Sequence, residues 1–586
     1  MTTTINTFHS IIAQSYIRQL IFNHVQVISK QIGGIDIKDP KKNRSLQGRD
    51  IVKLPHLGMI ARYAMPWDFI KHYLPPDKDS GAVLFERRMH SITKYCGHRN
   101  ATLDTLVQLL KWSPDYDPIA TDNKQGHLFH RYYSYLDTAL VESGNIDIIN
   151  HILSRFPNFK IKDMDGAAQN GHLSVVKLLH SRGVTSTCSA MDLAAQNGHL
   201  SIVTWLHENT TQGCTQSAIS NAAENGHLEI VKFLHFNRKE GCTTDALDGA
   251  ASNGHLEIVK FLHYNRTEGC TTDALDLASE CGHFEIIKFL HYNRTEGCTF
   301  NAMDYASSSG HLEILKFLHE NRTEGCSTYA MDNAHNLDIL IFLDKNRTEG
   351  ATTHAMDNAA RFGGNEKLDL IKYLHENRSE GATTNAIDYA SGNSNMEIIK
   401  FLYENRTEGC SRDAIDYAIR NNSKIELIEF LRDKLNAQCS AAAVRFAISN
   451  GRLDIIQYLH QHFSLDTSIW EGYPINLAAL HSQFEIIKFL HYNLRTEEQC
   501  STNAIDDAAT KAGNLEIIKW LHQNRSEGCT EFALCLSHAN TEEIVQYFLE
   551  NDMIPRNKLN KRFVEHLSYF SYYEVAALVN QFLQSK

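Results

Sequence analysis

Five cysteines, Cys214, Cys242, Cys270, Cys298 and Cys326, follow one another at intervals of 28 residues, and Cys188, Cys410, Cys439, Cys500 and Cys529 hold the same place in neighbouring blocks. Two ladders of histidine keep step with them: His199, His227, His255, His283 and His311 in one slot, and His207, His235, His263, His291 and His319 in another. Thiols and imidazoles are the raw material of zinc sites and, for thiols, of disulfides. A zinc site needs three or four ligands meeting at about 2.0–2.3 Å. One imidazole per block spreads such ligands along an axis, and neither Cys-x-x-Cys nor His-Glu-x-x-His is present. Equivalent positions in stacked helical blocks stand about 8–10 Å apart, beyond the roughly 7 Å that a disulfide can span. Ala351 and Ala382 occupy the cysteine slot in two blocks. We therefore expect reduced cysteines acting as small apolar core groups, histidines that satisfy backbone groups at the turns, and no bound metal.

The Asn-Arg-Thr/Ser triplets at Asn265, Asn293, Asn321, Asn346, Asn377, Asn405 and Asn524 match the glycosylation acceptor. The N-terminus lacks the basic and apolar regions of a secretory signal, so the expected location is the cytoplasm and the triplets read as helix ends, with Arg266 near the negative end of the dipole. No phosphate loop, nucleophile elbow or kinase motif set is present, which predicts no enzyme and no cofactor. The net charge of −12 comes without a basic tract, which argues against nucleic acid. No run of about 18 apolar residues exists to span a membrane.

The elements that carry these ladders can be read from one block, Cys242 to Gly269. Thr244 is the expected N-cap of a first helix, and Asp245 suits its first turn. Ala246, Leu247, Ala250 and Ala251 form one apolar stripe at helical spacing, narrow enough for a neighbouring helix to approach closely. Asn253-Gly254 ends that helix in a left-handed turn. Leu256, Ile258, Val259, Phe261 and Leu262 then form the apolar face of a second helix, with Glu257 and Lys260 paired on its wet side. A block of this kind cannot bury its apolar face alone and must stack.

The string Met191-Asp-Leu-Ala-Ala-Gln-Asn-Gly-His-Leu-Ser-Ile-Val203 resembles an ankyrin repeat, and it recurs around Gly171-His172-Leu173, Gly226-His227-Leu228, Gly254-His255-Leu256, Gly282-His283-Phe284 and Gly310-His311-Leu312. The resemblance runs from near Tyr132 to near Asn551 in about fourteen units, and its linkers look most like those of the multi-copy ankyrin-repeat proteins of social amoebae. It implies an all-α, ankyrin-type helical solenoid of stacked antiparallel helix pairs, and a protein partner. Three departures matter. Asp248 and its equivalents (Asp192, Asp276, Asp304, Asp332, Asp357, Asp388, Asp416, Asp506) replace the family's His, its Pro is missing, and the short block leaves little room for its projecting hairpin.

The expected organisation is a helical leader over 1–125, a repeat array over 126–554 and a C-terminal helical cap over 555–586. In the leader, Phe8 to Gln31 has amphipathic spacing, 41–50 is a basic loop, and Leu54 to Leu74 and Ala101 to Trp112 read as helices. Its opening helix resembles the first helix of F-box-type adaptors, which makes a substrate adaptor of a ubiquitin ligase the alternative to an interaction scaffold. The array is irregular: the Cys326 block is about three residues short, the next carries an insertion around Phe362–Lys367, and another insertion at Ser464–Pro474 contains Trp470.

Slots that vary between blocks are free for recognition. On the first helix they lie three to four apart and share a face. They hold Tyr305, Tyr329, Asn333, His354, Asn358, Arg361, Tyr389 and Tyr417 in the middle of the array. Tyr and Arg dominate many interfaces, so this helix-1 face is the expected partner surface. With the Asp ladder placed on the same side, a basic or amide-rich partner segment is expected.

Overall fold

The computed structural model describes residues 64–71, 85–118, 136–463, 467–494, 500–535, 541–555, 557–569 and 572–584. The Phe8–Gln31 helix, the 41–50 loop and the F-box-like segment lie outside the described residues. Two units are distinguished, Met1–Ala302 and Met303–Lys586. Each is a stack of antiparallel helix pairs, the all-α architecture expected, and no strand occurs among the described residues.

In the first unit the helices Phe85–Cys96 and Leu103–Trp112 pack against the pair Leu136–Ser143 and Ile146–Arg155. The second of these was expected, from Ala101; the first was not. Arg88, buried, ties the two together through Ser113 Oγ at 3.1 Å and the Asp115 carboxylate. The pairs of the array follow, among them Asp245–Ser252 with Leu256–Asn265, and Asp273–Glu280 with Phe284–Asn293. The second unit continues the pattern and closes on Lys561–Tyr569 and Tyr573–Gln584, the expected terminal pair.

Within each unit first helices pack on one another, as Ser217–Glu224 does on Asp245–Ser252 and Asn385–Gly392 on Asp413–Arg420. The contact rows are the predicted alanines: Ala246, Ala250 and Ala251 are buried, with Leu247 between them. Ile258, Val259 and Leu262 bury the second helix against the same core, each such side chain contributing about 1.5–3 kcal/mol. The turn glycine answers two demands. Gly254 has φ +84°, and a Cβ there would lie 2.6 Å from the His283 ring of the following repeat, so Gly is favoured by backbone strain and by space.

The irregular blocks cancel. From Cys326 to Ala351 is 25 residues and from Ala351 to Ala382 is 31, so two blocks together restore the 28-residue period. The shortfall falls on a first helix, Thr328–Asp332, which lacks its last turn, and the surplus lengthens the next second helix to Asn365–Asn377. Trp470, in the other insertion, is buried and meets the His460 ring edge-on at 6.0 Å.

Candidate functional site

Three ladders hold the stacked repeats together, and they use up most of the residues that looked chemically suggestive. The first is the Asp ladder. Asp248 accepts the Thr271 backbone N–H and hydroxyl, each at 2.9 Å, and Asp276 does the same for Thr299 at 2.9 and 2.6 Å. In the second unit, Asp304, Asp332, Asp357 and Asp388 clasp Ser327, Thr352, Thr383 and Ser411. These carboxylates are buried, and burial pushes those of Asp248, Asp304, Asp388, Asp416 and Asp506 up, against the pull of their hydrogen bonds. The Asp carboxylates are thus turned into the joints between repeats, where Thr and Ser groups take up their oxygens, instead of standing exposed on the helix-1 face.

The clasped hydroxyl also corrects the cap. Thr271 Oγ1 accepts from the Asp273 N–H at 3.1 Å, and Ser327, Thr352 and Thr383 repeat this. Thr244, expected in that role, is already in helical conformation and makes no side-chain cap. The cap must be the residue whose hydroxyl can reach both its own helix and the preceding Asp.

The second ladder runs through the linker. Arg266 is the C-cap of Leu256–Asn265, at the negative end of its dipole as expected, and its side chain pairs with Glu268, whose Oε1 accepts the Cys242 N–H at the start of the same block at 3.2 Å. Arg238–Glu240, Arg294–Glu296, Arg347–Glu349 and Arg406–Glu408 repeat the pairing. Burial pulls Glu268 upward, but the Arg266 and backbone bonds outweigh it and hold the carboxyl at about 2, as they do for Glu240, Glu349 and Glu408. The Arg-x-Glu spacing was visible in the sequence; its reach back to the first amide of the block was not.

The third ladder is histidine. His199 and His227 each place Nε2 at 3.1 Å from a backbone carbonyl oxygen of the preceding repeat, those of Gln169 and Gln196, which refines the predicted turn role. The second-helix histidines meet the next repeat's aromatic ring edge-on, His235 on Phe261 and His263 on Phe289 at 5.4 Å. All thirteen cysteines are free. Burial pushes the thiols up to about 12 at Cys214, Cys270 and Cys529, and to about 11 at Cys242, Cys326, Cys410 and Cys500.

A cleft lies where the first helix of the Cys326 block lacks its last turn. It encloses about 550 Å³, within the range typical of ligand pockets. Met331, Ala355, Ala359, Leu370 and Leu374 contribute apolar lining, and Tyr329, Asn333, Asn358 and Phe362 line it together with the polar side chains of Asp332, His335 and Lys367. Phe362 is 63% exposed and Tyr329 47%.

The structure brings three of the expected partner residues together here: Tyr329, Asn333 and Asn358. Asn358 donates to Asn333 Oδ1 at 3.1 Å, and Asn333 to the Tyr329 carbonyl at 3.1 Å. His354 is exposed at the start of its helix, its ring 3.0 Å from the Thr352 hydroxyl. Arg361 is exposed and lies over the Tyr389 ring at 5.4 Å. Tyr389 stacks on Tyr417 at 6.5 Å and 11°, both half-buried, as is Tyr305. Tyr389 and Tyr417 therefore pack on each other across adjacent layers. Sequence reasoning missed Phe362, which sits in the insertion, outside the slots compared between repeats. It also missed the exposed rings of Phe236, Tyr264 and Tyr292 on the second helices.

Among the described residues, no three His, Cys, Asp or Glu side chains cluster as metal ligands, and no helix is long and apolar enough to cross a membrane. Family models for ankyrin repeats match residues 164–248, 191–273 and 247–332, and a further ankyrin-repeat model matches residues 440–491. No curated protein matches the chain. Among solved structures, the pentatricopeptide repeat protein PPR10 from maize aligns at 9% identity over 96% of this chain and 99% of that one, with a TM-score of 0.29. At that level it carries no weight for fold detail or function.

Proposed function

We propose that this chain is a non-enzymatic protein-interaction scaffold that holds a partner protein along the helix-1 face between Tyr305 and Tyr417. The observation that carries this reading is the cleft left by the missing helical turn. The neighbouring first helix His354–Arg361 has 8 residues where Thr328–Asp332 has 5, and the shortfall leaves a recess on the face where the variable slots lie. The ankyrin repeats support a protein as the occupant. Residues 1–125 and 555–586 act as end caps of the array, which would otherwise present an unpaired apolar layer. The ubiquitin-ligase adaptor reading has no observation in its favour.

The test is site-specific photo-crosslinking with the full chain. A benzophenone amino acid replaces Tyr329 in one protein and Tyr264, on a second helix, in another. Proteins crosslinked from position 329 and not from position 264 are the expected result. Crosslinks confined to position 264 would move the binding surface to the second helices and end this reading.

A further inference from the structure

The charges left exposed on the helix-1 face change sign along the chain. In the first unit, the first helices 217–224, 245–252 and 273–280 expose Glu224, Asp245, Asp273 and Glu280 and no positive residue. In the second unit, the consecutive helices 354–361, 385–392, 413–420 and 441–449, with Arg412 just before the third, expose Arg361, Arg412, Arg420 and Arg445 against the single anion Asp413. The remaining carboxylates on these four helices, Asp357, Asp388 and Asp416, are buried in clasps to Thr383, Ser411 and Ser440. Arg445 stands in the Asp slot itself.

Most arginines of the array are occupied: Arg238, Arg266, Arg294, Arg347, Arg378, Arg406 and Arg525 each pair with the Glu two residues on. Among the described residues, Arg361, Arg412, Arg420 and Arg445 have no carboxylate within salt-bridge distance. Two of them are held over aromatic rings instead, Arg361 between Phe362 at 5.7 Å and Tyr389 at 5.4 Å, and Arg420 over Phe446 at 5.7 Å. A guanidinium stacked by its face keeps its N–H edge for a carboxylate, to which it can bind in bidentate fashion. The ring contact also limits the rotamer freedom lost on binding.

We infer that the surface formed by Arg361, Arg412, Arg420 and Arg445, with Tyr389, Tyr417 and Phe446 between them, takes an acidic segment of the partner protein. This rests on the reading of the helix-1 face as the partner surface and assigns the chemistry of that partner. Charge complementarity selects it: the face offers unpaired arginines on successive layers, and a Glu- or Asp-rich segment supplies carboxylates along an extended or helical backbone.

The experiment uses the full chain with two fluorescein-labelled probes, a peptide of alternating Glu and Gly and its Lys–Gly counterpart, followed by anisotropy. Binding of the Glu–Gly peptide that weakens with added salt is expected. The combined substitution Arg361→Gln, Arg420→Gln and Arg445→Gln should weaken it by roughly tenfold or more, with an unchanged helical circular dichroism melt. A milder variant, Arg412→Gln alone, touches no ring and keeps the test valid if the triple variant unfolds; it should weaken binding by roughly threefold. The Glu224→Gln, Glu280→Gln pair serves as control and should not weaken it. Unchanged Glu–Gly binding in both arginine variants overturns the inference, as does preference for the Lys–Gly peptide at this face. Salt-sensitive self-association lost in the arginine variants would name a second copy of this chain as occupant and equally overturn it. If crosslinking from position 329 persists while the arginine variants bind the Glu–Gly peptide normally, only the acidic chemistry falls; if that crosslinking is also absent, the surface itself falls.

Discussion

At the scale of single residues, the Asp and Glu ladders do opposite things with acid. The Glu carboxyls are held at about 2 in the folded chain, below their usual range, so the stability they contribute is present above about pH 4.5 and is lost as pH falls toward 2. The clasped Asp carboxyls are pushed up, so protonation costs the folded state less than the unfolded one and their contribution improves as pH falls through their raised range. Relative to wild type, a Glu240→Gln, Glu268→Gln, Glu349→Gln variant should lose less stability in urea melts as pH falls from about 4.5 toward 2; an equally steep profile would deny the linker ladder its role. Asn476 already stands in the Asp slot, accepting the Ser501 N–H at 2.9 Å and donating to its hydroxyl at 2.7 Å. Asp388→Asn should accordingly cost under about 1 kcal/mol, whereas Asp388→Ala, which strands the Ser411 N–H, should cost about 1–3 kcal/mol. Equal costs in denaturant melts would show that the clasp contributes little.

At the scale of elements, the missing turn of the Thr328–Asp332 helix is the feature that sets this array apart from a uniform stack. Restoring it by inserting Ala-Ser-Asn after Ala334 should fill the cleft, leave the melting temperature unchanged or higher, and abolish crosslinking from position 329. A filled cleft with undiminished crosslinking would place the partner elsewhere. The helices themselves were legible because apolar spacing and Gly turns are local signals, and the 25- and 31-residue blocks could be counted. The cleft was not, because its walls come from residues as far apart as Ser308 and Leu374, brought together only by stacking. The fate of Asp248 was hidden for the same reason: its partner Thr271 lies 23 residues on. Phe85–Cys96 was missed since it sits among prolines and polar residues with no repeat to compare it with.

At the scale of the whole molecule, reactivity should follow burial. Cys281 is exposed while most ladder thiols are buried and pushed up to about 11–12. In the native protein Cys281 should label first with a maleimide, and the ladder cysteines only as the stack opens; mass spectrometry of the labelled peptides decides this, and prompt labelling at Cys270 would contradict it. Most joints in the stack are split between neighbours, with Asp offered by one repeat and Thr or Ser by the next, while a linker Glu ties the end of a block back to its first amide. Each 28-residue block thus carries a plug at one end and a matching socket at the other, so that copies can be gained or lost by recombination without inventing a new interface. Excising residues 270–297 brings Asp248 opposite Thr299 and should yield a protein that still folds cooperatively. Gene copying, on this view, is the cheapest route by which such a chain changes its length, and the residues left to diverge are those that no neighbour requires.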